Sequence, residues 1–167
     1  AEGGQSSSYK LAYSHSGKTD DVRYSLSVSH LDTDGQNISP VGDEKDGYRA
    51  TQVMGNALWD VSEQSQLKAT FRYLNGRNEF DDFVPSDADK HTDLQQIVGQ
   101  LVWTYGKSTA NWRQQIGAQI TQNDNENFSD NAFESRIDGE KLRVFWQHNF
   151  NYSENGAFSL VAEHSDE

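Results

Sequence analysis

Apolar and polar residues alternate with a period of two along nearly the whole chain, and that pattern limits it to β-strands with one apolar and one polar face. The alternation recurs about eight times. Residues 7–16 place Tyr9, Leu11, Tyr13 and His15 on one face. Residues 22–30 set Val22, Tyr24, Leu26 and Val28 against Arg23, Ser25, Ser27 and Ser29. Residues 49–61 present Val53, Gly55, Ala57, Trp59 and Val61, and 66–75 present Leu67, Ala69, Phe71 and Tyr73 against Lys68, Thr70 and Arg72. Residues 94–105 carry Ile97, Leu101, Trp103 and Tyr105, and 111–121 carry Trp112, Ile116, Ala118 and Ile120. Residues 141–152 carry Leu142, Val144, Trp146, Phe150 and Tyr152, and a last segment begins near Ala157 with Phe158, Leu160 and Ala162. Helical spacing fits none of these as well.

The connections alternate in length. Short turns are expected at 17–21, 62–65, 106–110 and 153–156, and long polar loops at 31–48, 76–93 and 122–140. This is the rhythm of an up-and-down transmembrane barrel, with tight turns at one rim and extended loops at the other. Tyr24, Trp59, Trp103, Tyr105, Trp112, Phe150, Tyr152 and Phe158 all lie near short turns and share parity with the aliphatic residues of their strands. Rings with an apolar body and a polar edge favour a membrane interface, so these eight are expected to form a girdle. The opposite parity carries Lys10, Arg23, Lys68, Arg72, Arg113 and Arg143. Unpaired cations are not buried in a dry interior, so this face is expected to line a wet lumen and the apolar face to meet lipid.

Composition narrows the function. Hydrophobic residues are only 34% of the 167 residues, yet 7 Tyr, 8 Phe and 4 Trp set the chain apart from disordered sequences. A net charge of −12 argues against a nucleic-acid partner, which needs clustered Lys and Arg. The chain has no cysteine, so disulfides and thiolate metal sites are excluded. No apolar run is long enough for a transmembrane helix, and no N-terminal signal peptide is seen. No Ser-His-Asp order, nucleophile elbow or glycine-rich phosphate loop appears, so an enzyme is not expected.

The order of these pieces resembles TonB-dependent outer-membrane receptors, and most closely the vitamin B12 (cobalamin) transporter branch. The resemblance is carried by Ala1-Glu2-Gly3-Gly4, Ser6-Ser7-Ser8-Tyr9, Tyr24-Ser25-Leu26-Ser27-Val28-Ser29-His30, Asp43-Glu44-Lys45-Asp46-Gly47-Tyr48 and Asn78-Glu79-Phe80-Asp81. It spans nearly the whole chain, through strand signals that are individually weak. It implies that residues 1–167 are part of the wall of a larger barrel of about 22 strands. The plug domain and the remaining strands would lie outside this sequence. It further implies a bacterial outer-membrane location and active uptake of a large scarce nutrient, a corrinoid first and a ferric siderophore or haem second. The partners would be membrane lipid, the plug of the same parent chain and, through the parent, TonB.

Most acidic residues fall in the expected long loops. Calcium takes six to eight hard oxygens, which converging loops can supply. The cobalamin branch binds calcium in the corresponding loops, and the resemblance carries this to Asp32, Asp34, Asp43 and Asp46. The bland reading is a solvated acidic surface. The segment Asp32-Thr33-Asp34-Gly35 is not an EF-hand, because His30 and Val41 stand where its ligands would be. Phe80, Phe83, Phe128 and Phe133 are expected in outside loops, where they could touch a large ligand or simply pack on each other. His15, His30, His91, His148 and His164 show no metal-ligand spacing and are expected at surfaces. The alternatives to a receptor wall are a complete eight-stranded porin- or adhesin-like barrel and a soluble lipocalin-like carrier. The polar inner face disfavours the carrier.

Overall fold

The computed structural model describes residues 2–3, 7–36, 45–81, 89–106, 110–153 and 156–167. The strands in chain order are β1 (Glu2–Gly3), β2 (Tyr9–Lys18), β3 (Val22–Thr33), β4 (Tyr48–Ser62), β5 (Ser65–Asp81), β6 (Asp89–Tyr105), β7 (Trp112–Ser129), β8 (Ala132–Ser153) and β9 (Gly156–Asp166). Each pairs antiparallel with the next in sequence, giving one sheet in the order β1 to β9. There is no helix among the described residues. β1 adds only two residues, so the architecture is an eight-stranded up-and-down meander, as the alternation predicts. β1 and β9 are the two ends of the sheet order, and the sheet is open.

The short connections are built by local chemistry. Between β2 and β3 the Thr19 N–H donates to the Val22 carbonyl at 2.8 Å, and the Val22 N–H donates back to Thr19 Oγ1 at 3.1 Å. Gly106, at the end of β6, has φ +95°, and a Cβ there would sit 2.3 Å from the Trp112 carbonyl oxygen. Glycine is the residue that reaches this conformation without strain.

The long connections are shorter than the sequence suggests. β5 continues to Asp81 and β6 begins at Asp89, so most of 76–93 is strand. The segment 122–140 is not a loop. β7 runs on to Ser129, β8 starts at Ala132, and Asp130 and Asn131 form a two-residue turn with φ 50° and 60°. Left-handed values at both central positions match the right-handed twist of a hairpin, and Asp and Asn tolerate them. Polar residues hid these strand ends, because backbone pairing does not require apolar side chains. Between β3 and β4, residues 37–44 lie outside the described residues, and Asp43 with them.

No apolar side chain is buried among the described residues. A sheet with one layer has nothing to bury them against, and cohesion comes from the backbone ladder and cross-strand pairs. Asn131→Val forces a β-branched residue into left-handed geometry and should destabilise the β7–β8 hairpin by about 1–2 kcal/mol. Amide hydrogen exchange would show this as faster exchange confined to the upper halves of β7 and β8.

Candidate functional site

Directly opposed residues in an antiparallel sheet point to the same face, so the register shows what each face carries. One rank runs Leu26, Gly55, Phe71, Gly99, Ile120 and Leu142. The next runs Tyr24, Ala57, Ala69, Leu101, Ala118 and Val144, and the one below it Val22, Trp59, Leu67, Trp103, Ile116, Trp146 and Ala162. The apolar parities of β2–β9 therefore fuse into one continuous face. It is open to its surroundings: Tyr13 is 65% exposed, Phe71 45%, Leu101 49% and Ile116 49%.

The band has a defined height. On β4, β6 and β7 it occupies 53–61, 97–105 and 112–120, matching the roughly 9–11 residues a tilted strand needs to cross a hydrocarbon layer. Its upper edge also steps down across the sheet. Val28, Val53, Tyr73 and Ile97 share a rank, but on β7 and β8 the highest aliphatic pair is Ile120 and Leu142, one rank lower. On β9 the band is lower again, with Ala162 opposite Trp146.

The eight expected girdle aromatics lie on this face near the short turns. Phe150 opposes both Trp112 and Phe158. Tyr105 meets Trp112 edge-on with centroids 5.5 Å apart, and Trp103 lies 5.9 Å from Tyr105. Polar edges are satisfied within the sheet: Trp103 Nε1 donates to Ser65 Oγ at 2.7 Å, and the Tyr105 hydroxyl donates to Gln64 Oε1 at 2.9 Å. Sequence reasoning placed Trp146 on the apolar face and His148 at a surface but counted neither in the girdle. Trp146 Nε1 donates to Gln114 Oε1 at 3.0 Å, and His148 sits between Trp112, Trp146 and Phe158, its Nδ1 accepting from Trp112 Nε1 at 3.2 Å. The signal was their even parity on β8.

The opposite face collects cations. Arg23, Lys68, Arg72, Arg113 and Arg143 lie on it, joined by Lys10, Lys18, Lys90 and Lys141. On β2–β9 its regular strand positions carry only Asp60 and Glu163 against them among the described residues, with Glu134 at the β7–β8 bulge. Arg23 pairs with Asp60 at 3.2 Å, Arg143 with Glu163 at 2.5 Å and Lys90 with Glu134 at 3.5 Å. Lys68, Arg72 and Arg113 have no ion pair among the described residues, and the buried Nε of Arg72 and of Arg113 has no hydrogen-bond partner there.

Above the band, on the apolar side of the sheet, the surface turns ionic. Arg77 holds Asp93 through two bonds of 2.5 and 2.6 Å. Arg136 reaches Asp124 at 2.6 Å, Glu126 at 3.7 Å and Asp138 at 3.8 Å. A groove of about 380 Å³ lies here between His30, Arg49, Arg77, Asp93 and Glu126. The hydrogen bonds from Arg77 hold the Asp93 carboxyl below the usual carboxylate range, and burial opposes this.

Of the acids expected to hold calcium, Asp32 lies at the top of β3 opposite Arg49, Asp34 pairs with Lys45 at 3.5 Å, and the Asp46 N–H donates to the Gln36 carbonyl. No group of three or more potential metal-ligating side chains comes together among the described residues. Phe80, Phe128 and Phe133 are in strands, not loops, and Phe83 lies outside the described residues. Phe128 stacks on the buried His91 at 4.7 Å and meets Phe133 edge-on at 6.0 Å. Phe80 opposes Lys90 and so projects from the other face. The sheet gathers Phe128 and Phe133 and sets Phe80 apart.

Neither the scan against protein-family models nor the search of curated proteins finds a match to this chain.

Asp93→Asn should lower stability by roughly 0.5–1 kcal/mol, the range for an exposed pair with good geometry. Because the folded-state pKa of Asp93 is depressed, its contribution is present above the unfolded value near 3.9 and fades as pH falls through the lower folded value. Thermal unfolding in detergent from pH 2 to 6 should show a gap between native and variant above about pH 5 that closes in acid.

Proposed function

We propose that this chain is a length of outer-membrane β-barrel wall from a TonB-dependent nutrient receptor. The apolar face meets lipid and the cationic face meets an enclosed, wet lumen. The observation that carries this reading is the exposed apolar band itself. It crosses eight strands without a layer over it, has the height of a hydrocarbon slab, and is backed by a face rich in Lys and Arg. The stepped upper edge supports it further. Barrel strands tilt by 35–45°, so a horizontal slab must cut the register obliquely. A soluble sandwich would cover this face with a second layer.

In this reading the protein is a transporter component and not an enzyme. The short-turn aromatics sit at the periplasmic interface, and the strand ends at the opposite rim face the outside. Arg23, Lys68, Arg72, Arg113 and Arg143 face the lumen, where carboxylates of a plug would neutralise the unpaired ones. The resemblance supplies the cargo: a corrinoid, with a ferric siderophore or haem as the second choice. It also supplies calcium at Asp32, Asp34, Asp43 and Asp46, which calorimetry on the intact receptor tests; a flat calcium titration removes it.

The reading fixes two outcomes. The chain should require detergent or lipid, and a monodisperse, detergent-free monomer would overturn it. Leu101→Arg, mid-band on the apolar face, should cost about 2–4 kcal/mol of stability in the membrane, and its neighbour Gln100→Arg on the other face close to none. Unfolding in lipid vesicles measures both, and equal effects would sink the assignment of faces.

A further inference from the structure

One face of the sheet changes character along the strands. Below the rank of Val53, Tyr73 and Ile97, the face of Leu26, Phe71 and Leu101 carries no charged residue in β3–β7, and above it the same face turns ionic. On the other face, the cationic one, a rank at this height reads Lys10, Leu31, Ala50, Gly76, Leu94, Asn125 and Ile137. The neighbouring rank, a single residue along each strand, reads Asp32, Arg49, Arg77, Asp93, Glu126 and Arg136, and it lies on the face that is apolar lower down. Strand alternation is unbroken through the change, so no register slip produces it. The environment of that face must change at that height instead.

We infer that the outer limit of the hydrocarbon layer crosses the sheet along Val28, Val53, Tyr73 and Ile97 and steps down to Ile120 and Leu142. Everything above it is a wall standing in water, with its ionic side outward. This deepens the lipid-facing reading and rests on it. Three observations place the line. The last wholly apolar ranks end there. The charged ranks above it are cross-linked by Arg77–Asp93 and by Arg136 with Asp124, Glu126 and Asp138, and such groups are too costly to leave in hydrocarbon. Finally, the strands are too long for the slab: β7 has 18 residues and β8 has 22, against the roughly 9–11 that crossing requires. On β5 and β6 the pairs from Asn75↔Gln95 to Asp81↔Asp89 lie beyond the line, on the order of 20 Å of strand at about 3.3 Å per residue.

The chain has no cysteine, so single introduced thiols report from one place. Bimane is attached at Phe71→Cys and Val144→Cys, within the band, and at Arg49→Cys and Glu126→Cys, in the ionic rank on the same face. The intact protein is reconstituted into vesicles whose acyl chains are brominated. Bromine should quench the first pair several-fold more than the second, and aqueous iodide should do the opposite. Two positions in each arm keep the comparison readable if one variant fails to insert. Bromine quenching at Arg49 and Glu126 equal to that at Phe71 overturns the boundary and leaves the lipid-facing band intact. Loss of bromine quenching at Phe71 and Val144 as well overturns the lipid-facing reading, and the boundary with it.

Discussion

The backbone ladder does the work that a core does in most proteins of this size. Every strand bonds to its sequence neighbour, and no described apolar side chain is buried. Since successive side chains alternate between faces, the ladder also decides which residues meet. A slip of one residue at any pair would send Phe71, Leu101 or Val144 to the cationic side and Arg72, Gln100 or Arg143 to the apolar side. A slip would therefore erase the contrast between the two faces over the whole width of the sheet.

Strand existence was readable wherever that contrast is strong. The segments around Leu26, Phe71, Leu101 and Val144 announced themselves by alternation, and each forms the middle of a strand. The upper parts of β5 to β8 did not. In 122–140 most residues on both faces are polar, so a pattern reading sees a loop where the backbone simply goes on pairing. The strand signal there was the Asp130-Asn131 pair, two residues that tolerate a left-handed turn. The candidate membrane surface was legible in its aromatics, because parity and distance from a turn are both written in the sequence. The ionic rank was not, since Arg77 with Asp93 and Arg136 with Asp124 meet only through pairing between strands. The change of the apolar face to an ionic one was hidden for the same reason.

Charge is sorted by position and not by total. The chain is acidic, at −12, yet one face of its strands is dominated by Lys and Arg. The acids lie largely beyond the apolar band and in the connections. A net charge alone would have suggested repulsion of anionic partners. The sheet instead offers a cationic surface on one side and a mixed ionic collar at one height.

The tight turn between β7 and β8 has a consequence for how the sheet is made. It joins the longest hairpin through two residues, so the entropic cost of bringing the arms together is small. All the pairs that follow are added outward from the turn with the next partner already in place. Contacts this local form early, and the hairpin then offers a finished edge on each side. The meander can grow from the inside toward both ends, with each arriving segment taking its alignment from one already set.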